Sequence, residues 1–272
     1  MSVVRPTPCG TWPSPLSPQR ATAAGLVLGW PGVVDGCLHW GAGRPHDRGR
    51  SVLVGLDADG VARDRVDAEA DVRSRVHEYG GLPWCAVGGT LVHAQFSVQR
   101  LRFSAPDGLL VTLTPPGCRY ADLHPLPGTR RLLAVREDHR DAGVPPSNTV
   151  VLLDLDLPGK DRVLHDGSDF VASPRVSADG RRVACVRWNH PAMPWDGTEL
   201  CVADFAPDLQ PDGALDWQVV AGGPAELRIL SKWSMPYQSL SFKANYLIHK
   251  GVVRFNDEQL ESKFRRAFFS PQ

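Results

Sequence analysis

The chain is poor in several things, and each shortage removes a class of protein. It has no apolar run of 18 residues, so it offers no membrane-spanning helix. It has no basic-then-apolar leader at its start, which argues against a secretory signal. Its 30 Lys and Arg balance its 30 Asp and Glu, so no polyanionic partner such as nucleic acid is implied. No two of its six cysteines form a C-x-x-C pair. They are scattered at positions 9, 37, 85, 118, 185 and 201, several inside apolar runs. Reduced, buried thiols in a cytoplasmic protein are the expectation. His39, His93 and His124 are dispersed without metal-ligand spacing, and nothing calls for a metal or a cofactor.

What the chain does contain is repetition. One series of turn signals falls at Asp35-Gly36, Gly88-Gly89, Gly128-Thr129 and Asp179-Gly180. A second falls at Asp59-Gly60, Asp107-Gly108, Pro158-Gly159 and Asp212-Gly213, with spacings of 48, 51 and 54 residues. Gly accepts φ > 0 without a steric penalty, so such pairs between apolar runs mark hairpins. The runs after the first series are largely apolar, without a break in Leu132–Val135 and Val183–Val186. That pattern predicts strands buried on both faces. A period near 50 residues with about four short strands per unit predicts propeller blades, since a lone blade cannot bury its two faces and stacked blades can.

The expected fold is therefore all-β, a partial β-propeller of about four four-stranded blades. Residues 1–32 form a Pro-rich leading segment and 33–224 the propeller. Residues 225–272 form a tail of a different kind. Before Ala225 there are 21 Arg, one Lys and no Ile; after it come four Lys, two Ile and five of the nine Phe. A helix over 257–269 is expected there, with Asn256 as N-cap and Leu260, Phe264 and Phe268 as one apolar stripe. The composition shift favours foreign sequence, from a fusion or an altered frame or splice, over a terminal helix that docks on the body.

Residues 8–224 resemble the N-terminal β-propeller of prolyl-oligopeptidase-family serine peptidases, in particular the dipeptidyl-aminopeptidase/acylaminoacyl-peptidase branch. The residues that carry the resemblance are Gly10-Thr-Trp-Pro-Ser-Pro-Leu16, Val72-Arg-Ser-Arg-Val-His-Glu-Tyr-Gly-Gly81, Arg119-Tyr-Ala-Asp122, Val135-Arg-Glu-Asp-His-Arg140 and Asn148-Thr149. The longest stretches are Asp169–Gly180 and Trp188-Asn-His-Pro-Ala-Met-Pro-Trp-Asp-Gly-Thr-Glu-Leu200. The resemblance implies a sevenfold propeller that caps an α/β-hydrolase domain and gates access of small peptides to a Ser-Asp-His triad. Seven blades need about 350 residues, and residues 1–272 contain no G-x-S-x-G nucleophile elbow. The expectation is a truncated, substrate-gating fragment, a hydrolase by family but inactive alone, with no catalytic residue of its own. Its partners would be a peptide substrate, or the hydrolase domain in a full-length relative. Too few blades to close a ring would leave an open arc whose exposed blade faces self-associate. The alternative is a stand-alone propeller that binds a peptide or protein.

Two loop segments are candidate binding residues: Arg136, Glu137, Asp138, His139 and Arg140 after the apolar strand of the third unit, and Trp188, His190, Trp195 and Asp196 after that of the fourth. Equivalent positions in successive blades emerge on one face. Acidic groups there suit a peptide's N-terminal amine and Trp rings suit its apolar side chains. The competing reading is that the charges pair between blades and the Trp-Pro contacts brace the loops. His77-Glu78-Tyr79-Gly80-Gly81 has the residue types for acid–base work. The plainer expectation is that His77 and Tyr79 pack between blades while the glycines turn the chain. Asp122 and Asp169 read as turn or blade-bracing residues.

Overall fold

The computed structural model describes residues 27–195, 197–206 and 215–223. The leading segment up to residue 26, Asp196, the Asp212-Gly213 turn and the tail with its expected helix lie outside the described residues. The described residues form four four-stranded antiparallel sheets and no helix. Blade 1 is β1 (Val27–Val34), β2 (Cys37–Arg44), β3 (Arg50–Leu56) and β4 (Ala62–Asp64). Blade 2 is β5 (Trp84–Val87), β6 (Thr90–Gln95), β7 (Arg100–Ser104) and β8 (Leu110–Thr112). Blade 3 is β9 (Cys118–Pro125), β10 (Arg131–Asp138), β11 (Ser147–Asp154) and β12 (Asp161–His165). Blade 4 is β13 (Phe170–Val176), β14 (Arg182–Trp188), β15 (Glu199–Asp204) and β16 (Gln218–Gly222). Each sheet is a simple meander in chain order. The first blade begins at Val27, six residues before the expected boundary at residue 33.

The repeat in the sequence maps onto this order. The first series of turn signals joins first to second strands, and the second joins third to fourth. Both series therefore sit at one end of the blades, the turn end. Aspartate side chains cap these turns from within: Asp59, Asp107 and Asp179 each accept the backbone N–H two residues on, at 2.9–3.0 Å. The second-to-third loops and the strands' crossings from blade to blade occupy the other end, the loop end.

The apolar second strands alternate between two interfaces. In β10, Leu132 and Ala134 pack towards blade 2 with Leu101, Phe103 and Tyr120. Leu133 and Val135, their neighbours in sequence, pack towards blade 4 with Val171, Val183 and Cys185. A period of two places successive side chains on opposite faces, so a strand wedged between two blades must be apolar at every position. Val34, Leu53, Val72 and Trp84 form the smaller core between blades 1 and 2. On the side of blade 1 away from blade 2, Leu28, Val33 and Leu38 are exposed. Ala42, Val52 and Val54 on that same side are buried, so that face is only partly bare.

Innermost strands β1, β9 and β13 each carry a β-bulge, and each bulge holds a left-handed non-glycine residue: Trp30 (φ 50°), Asp122 (φ 55°) and Ser173 (φ 51°). At Asp122 the bulge has a clear use. Its Oδ1 accepts the backbone N–H of Leu82, at the entry to blade 2, at 2.9 Å; its Oδ2 accepts that of Ser173, in blade 4, at 2.7 Å. One carboxylate thus joins three blades, which is the bracing role expected of it.

Candidate functional site

The structured loop end is centred on the segment between β4 and β5, which crosses from the outer strand of blade 1 to the inner strand of blade 2. His77 and Glu78 are both left-handed, at φ 53° and 65°. Such conformations cost on the order of 1–3 kcal/mol each and persist only where the surroundings over-determine them. The surroundings here do so. Glu137 Oε1 accepts the backbone N–H of His77 at 3.1 Å. Arg119 donates to Glu78 Oε1 at 2.6 Å, to the Arg75 carbonyl at 2.9 Å and to Glu137 Oε2 at 3.3 Å. The two glycines that follow are needed for close approach. A Cβ on Gly80 (φ 81°) would lie 2.6 Å from the Ser74 carbonyl oxygen, and one on Gly81 would lie 2.5 Å from the Asp122 carboxylate.

The ring of His77 is held as firmly as its backbone. Asn148 Nδ2 donates to the Asp169 carbonyl at 2.8 Å, which turns the amide oxygen towards His77 Nε2 at 3.0 Å. Nε2 therefore carries the proton and donates it. Burial pushes the His77 pKa down, against the opposing pull of Glu137 and Asp122, so the ring is neutral at pH 7. Around it stand Tyr79, Phe170 and Trp188, with centroids 5.5–5.7 Å away. Phe170 stacks on Trp188 at 5.2 Å and meets the edge of His190 at 5.0 Å. Asp169 closes the array: its N–H donates to Asn189 Oδ1 at 2.7 Å and its Oδ2 accepts the N–H of His190 at 2.8 Å.

The described parts of the two candidate segments lie at one end of adjacent blades, joined through Asn148, Asp169 and Asn189. They are not all loop: Arg136–Asp138 continue β10 and Trp188 ends β14, because both strands run on past their apolar cores. Within them, strand alternation divides residues that the sequence presents as one block. Glu137 and His139 face the His77 loop; the carboxylate of Glu137 is 5 % exposed and takes the His139 ring at 2.8 Å. Arg136 turns the other way and pairs with Asp161 at 2.8 Å, while Asp138 pairs with Arg140. Arg140 holds the Asp138 carboxyl well below the usual carboxylate range. Trp188 is buried behind Phe170, His190 lies exposed beyond it, and Trp195 is exposed farther along the loop. The charges at 136–140 are thus engaged with one another and with Arg119 and Asp161.

Phe170, Arg119 and Asn148 are legible only as part of the family resemblance, and Asp169 only as a turn or bracing residue, with no chemical signal that would bring the four to one place. The signal for the loop itself was present: a His-Glu-Tyr-Gly-Gly run lying between two repeats rather than within one. His77 does pack between blades as expected, but Tyr79 does not. The residue is 72 % exposed on a left-handed turn, although burial of its hydroxyl side still pushes the Tyr79 pKa up. A separate cavity of ≈ 280 Å³ lies between blades 1 and 2, lined by Arg65, Asp67, Thr90, His93 and Ser104 among others. Nε2 of His93 has no partner but is sealed from solvent, so it presents nothing to that cavity. No group of three His, Cys, Asp or Glu residues among those described is placed to hold a metal ion.

Four-stranded meanders stacked through their apolar faces define the described residues as propeller blades. No protein-family model matches the chain, and no curated protein does. Among solved structures, that of puromycin hydrolase is similar over 81 % of this chain, at 34 % identity and a TM-score of 0.69. That of a Mycobacterium tuberculosis puromycin-hydrolyzing peptidase is similar over 79 %, at 34 % identity and a TM-score of 0.66. The described residues correspond to the N-terminal propeller region of prolyl-oligopeptidase-family peptidases, the family of puromycin hydrolase. The chain spans only about a third of the length of these relatives, 36 % and 34 %.

Proposed function

We propose that this chain is the substrate-facing propeller portion of a prolyl-oligopeptidase-type serine peptidase, and that residues 1–272 by themselves do not hydrolyse peptides. The observation that carries the reading is the 34 % identity over four fifths of this chain, confined to the propeller third of the relatives. Its loop end would meet short peptides, and the hydrolase domain of a longer relative would be the partner that cleaves them. A cytoplasmic location fits the free thiols of Cys37, Cys85, Cys118, Cys185 and Cys201. No helix among the described residues is long and apolar enough to cross a membrane.

The test is to expose the purified chain to a fluorophosphonate probe, which labels activated serines, and to aminoacyl and acylpeptide chromogenic substrates. Neither labelling nor turnover is expected, while titration with tripeptides should show saturable binding. Stoichiometric labelling of any serine overturns the inactive-propeller reading. Binding of a folded protein in preference to tripeptides would favour the stand-alone interaction module instead.

A further inference from the structure

We propose that Tyr79, backed by His77, Phe170 and His190, is a platform that takes an aromatic side chain of a short peptide. The inference rests on the loop-end reading above and names the group that this end recognises. Tyr79 is the most exposed of the Phe, Tyr and Trp residues among those described. It is not a stray surface ring, because a strained turn presents it and four separate contacts hold that turn: Glu137 on the His77 N–H, Asn148 on the His77 ring, and Arg119 on both Glu78 and the Arg75 carbonyl. Structure of this kind holds costly backbone in place where a side chain must be aimed.

The ring is also the outer end of a continuous aromatic array. Centroid separations run 5.7 Å from Tyr79 to His77, 5.5 Å from His77 to Phe170 and 5.0 Å from Phe170 to His190. Trp188, buried, stacks beneath Phe170 and fixes its plane. Both ends of the array, Tyr79 and His190, are exposed at the same end of the blades, with Phe170 half-buried between them. The neutral state of His77 keeps the backing apolar rather than cationic. An array of packed rings whose two end members are exposed favours another flat ring, which gains from offset or edge-to-face packing as well as from apolar burial. The chemistry therefore selects peptides with Phe, Tyr or Trp over those with small side chains.

The experiment titrates the full chain with Phe-Gly-Gly and Ala-Gly-Gly by isothermal calorimetry. Wild type should prefer Phe-Gly-Gly. Tyr79→Phe should keep that preference, and Tyr79→Ala should weaken Phe-Gly-Gly by about 3- to 10-fold while leaving Ala-Gly-Gly unchanged. Because the ring is exposed, Tyr79→Ala should melt close to wild type. His190→Ala, at the other end of the array, should give a smaller loss in the same direction. If wild type binds and Tyr79→Ala binds Phe-Gly-Gly equally well, the platform is overturned while the loop-end reading stands. An equal loss for both peptides also overturns it, since the ring would then only shape the loop. Absence of any binding by wild type would overturn the platform and the loop-end reading together.

Discussion

The two ends of the same blades are built on different rules. At the turn end the chain repeats itself: Asp-Gly turns, an Asx cap two residues long, and glycines such as Gly60, Gly108 and Gly180 with nothing within 4 Å of where a Cβ would stand. At the loop end nothing repeats. Gly80 and Gly81 are pressed against Ser74 and Asp122, non-glycine residues occupy left-handed backbone, and the aromatic array and the Arg119–Glu78–Glu137 cluster gather there. A turn that only reverses the chain is solved by one local motif, used again in blades 1, 2 and 4. An end that presents side chains to something else must be solved once, with contacts specific to each blade. The departures from the repeat therefore mark the candidate site better than any single residue type does.

Acid should produce the largest effect, because it acts on the blades as a whole and ignores the difference between their ends. Burial pushes the pKa of His93 and His165 down to about 4 and that of His124 down to about 3. Each is neutral when folded and binds its proton more readily when unfolded. Stability from these groups is thus full above the unfolded value near 6.5 and is lost as pH falls towards the folded value. Between pH 7 and pH 5, His93 and His165, both nearly fully buried, should each cost about 2 kcal/mol. Urea unfolding at the two pH values measures this, and equal stabilities would rule it out.

A smaller effect, confined to the junction between the ends, should come from Asp122→Ala. It strips the acceptor from the Leu82 and Ser173 N–H groups and removes the negative charge that supports the Arg175 guanidinium, whose pKa burial depresses. A loss of about 2 kcal/mol or more is expected, from two N–H donors left without an acceptor. Chemical denaturation should register it. A loss below about 1 kcal/mol would mean that the blades are held by apolar packing alone.

The smallest and sharpest comparison is a pair of glycines with nearly the same backbone. Gly80→Ala and Gly108→Ala both place a Cβ on a φ near +80°, at 81° and 83°. Gly108 should pay only the left-handed penalty of about 1 kcal/mol. Gly80 should pay about 1 kcal/mol more, for the clash with the Ser74 carbonyl at 2.6 Å. Equal melting temperatures for the two variants would erase the distinction drawn between the ends.

Much of this was written in the chain. The spacing of Asp-Gly turns gave the number of strands, their order and which ends share a face. Unbroken apolarity at Leu132–Val135 and Val183–Val186 gave the strands wedged between blades. These features are local: a turn needs its own four residues, and burial on two faces needs a run of apolar side chains. Sequence did not divide Arg136 from Glu137, because its apolar run stops at Val135 and so hides that β10 continues to Asp138, with successive side chains on opposite faces. Nor could it bring Glu137 to the His77 N–H 60 residues earlier, or Asp122 to Ser173 51 residues later. Periodicity fixes the blade, since each blade obeys the same local geometry. Only the stacking of blades decides which residues meet across them, because those contacts join segments that no repeat relates.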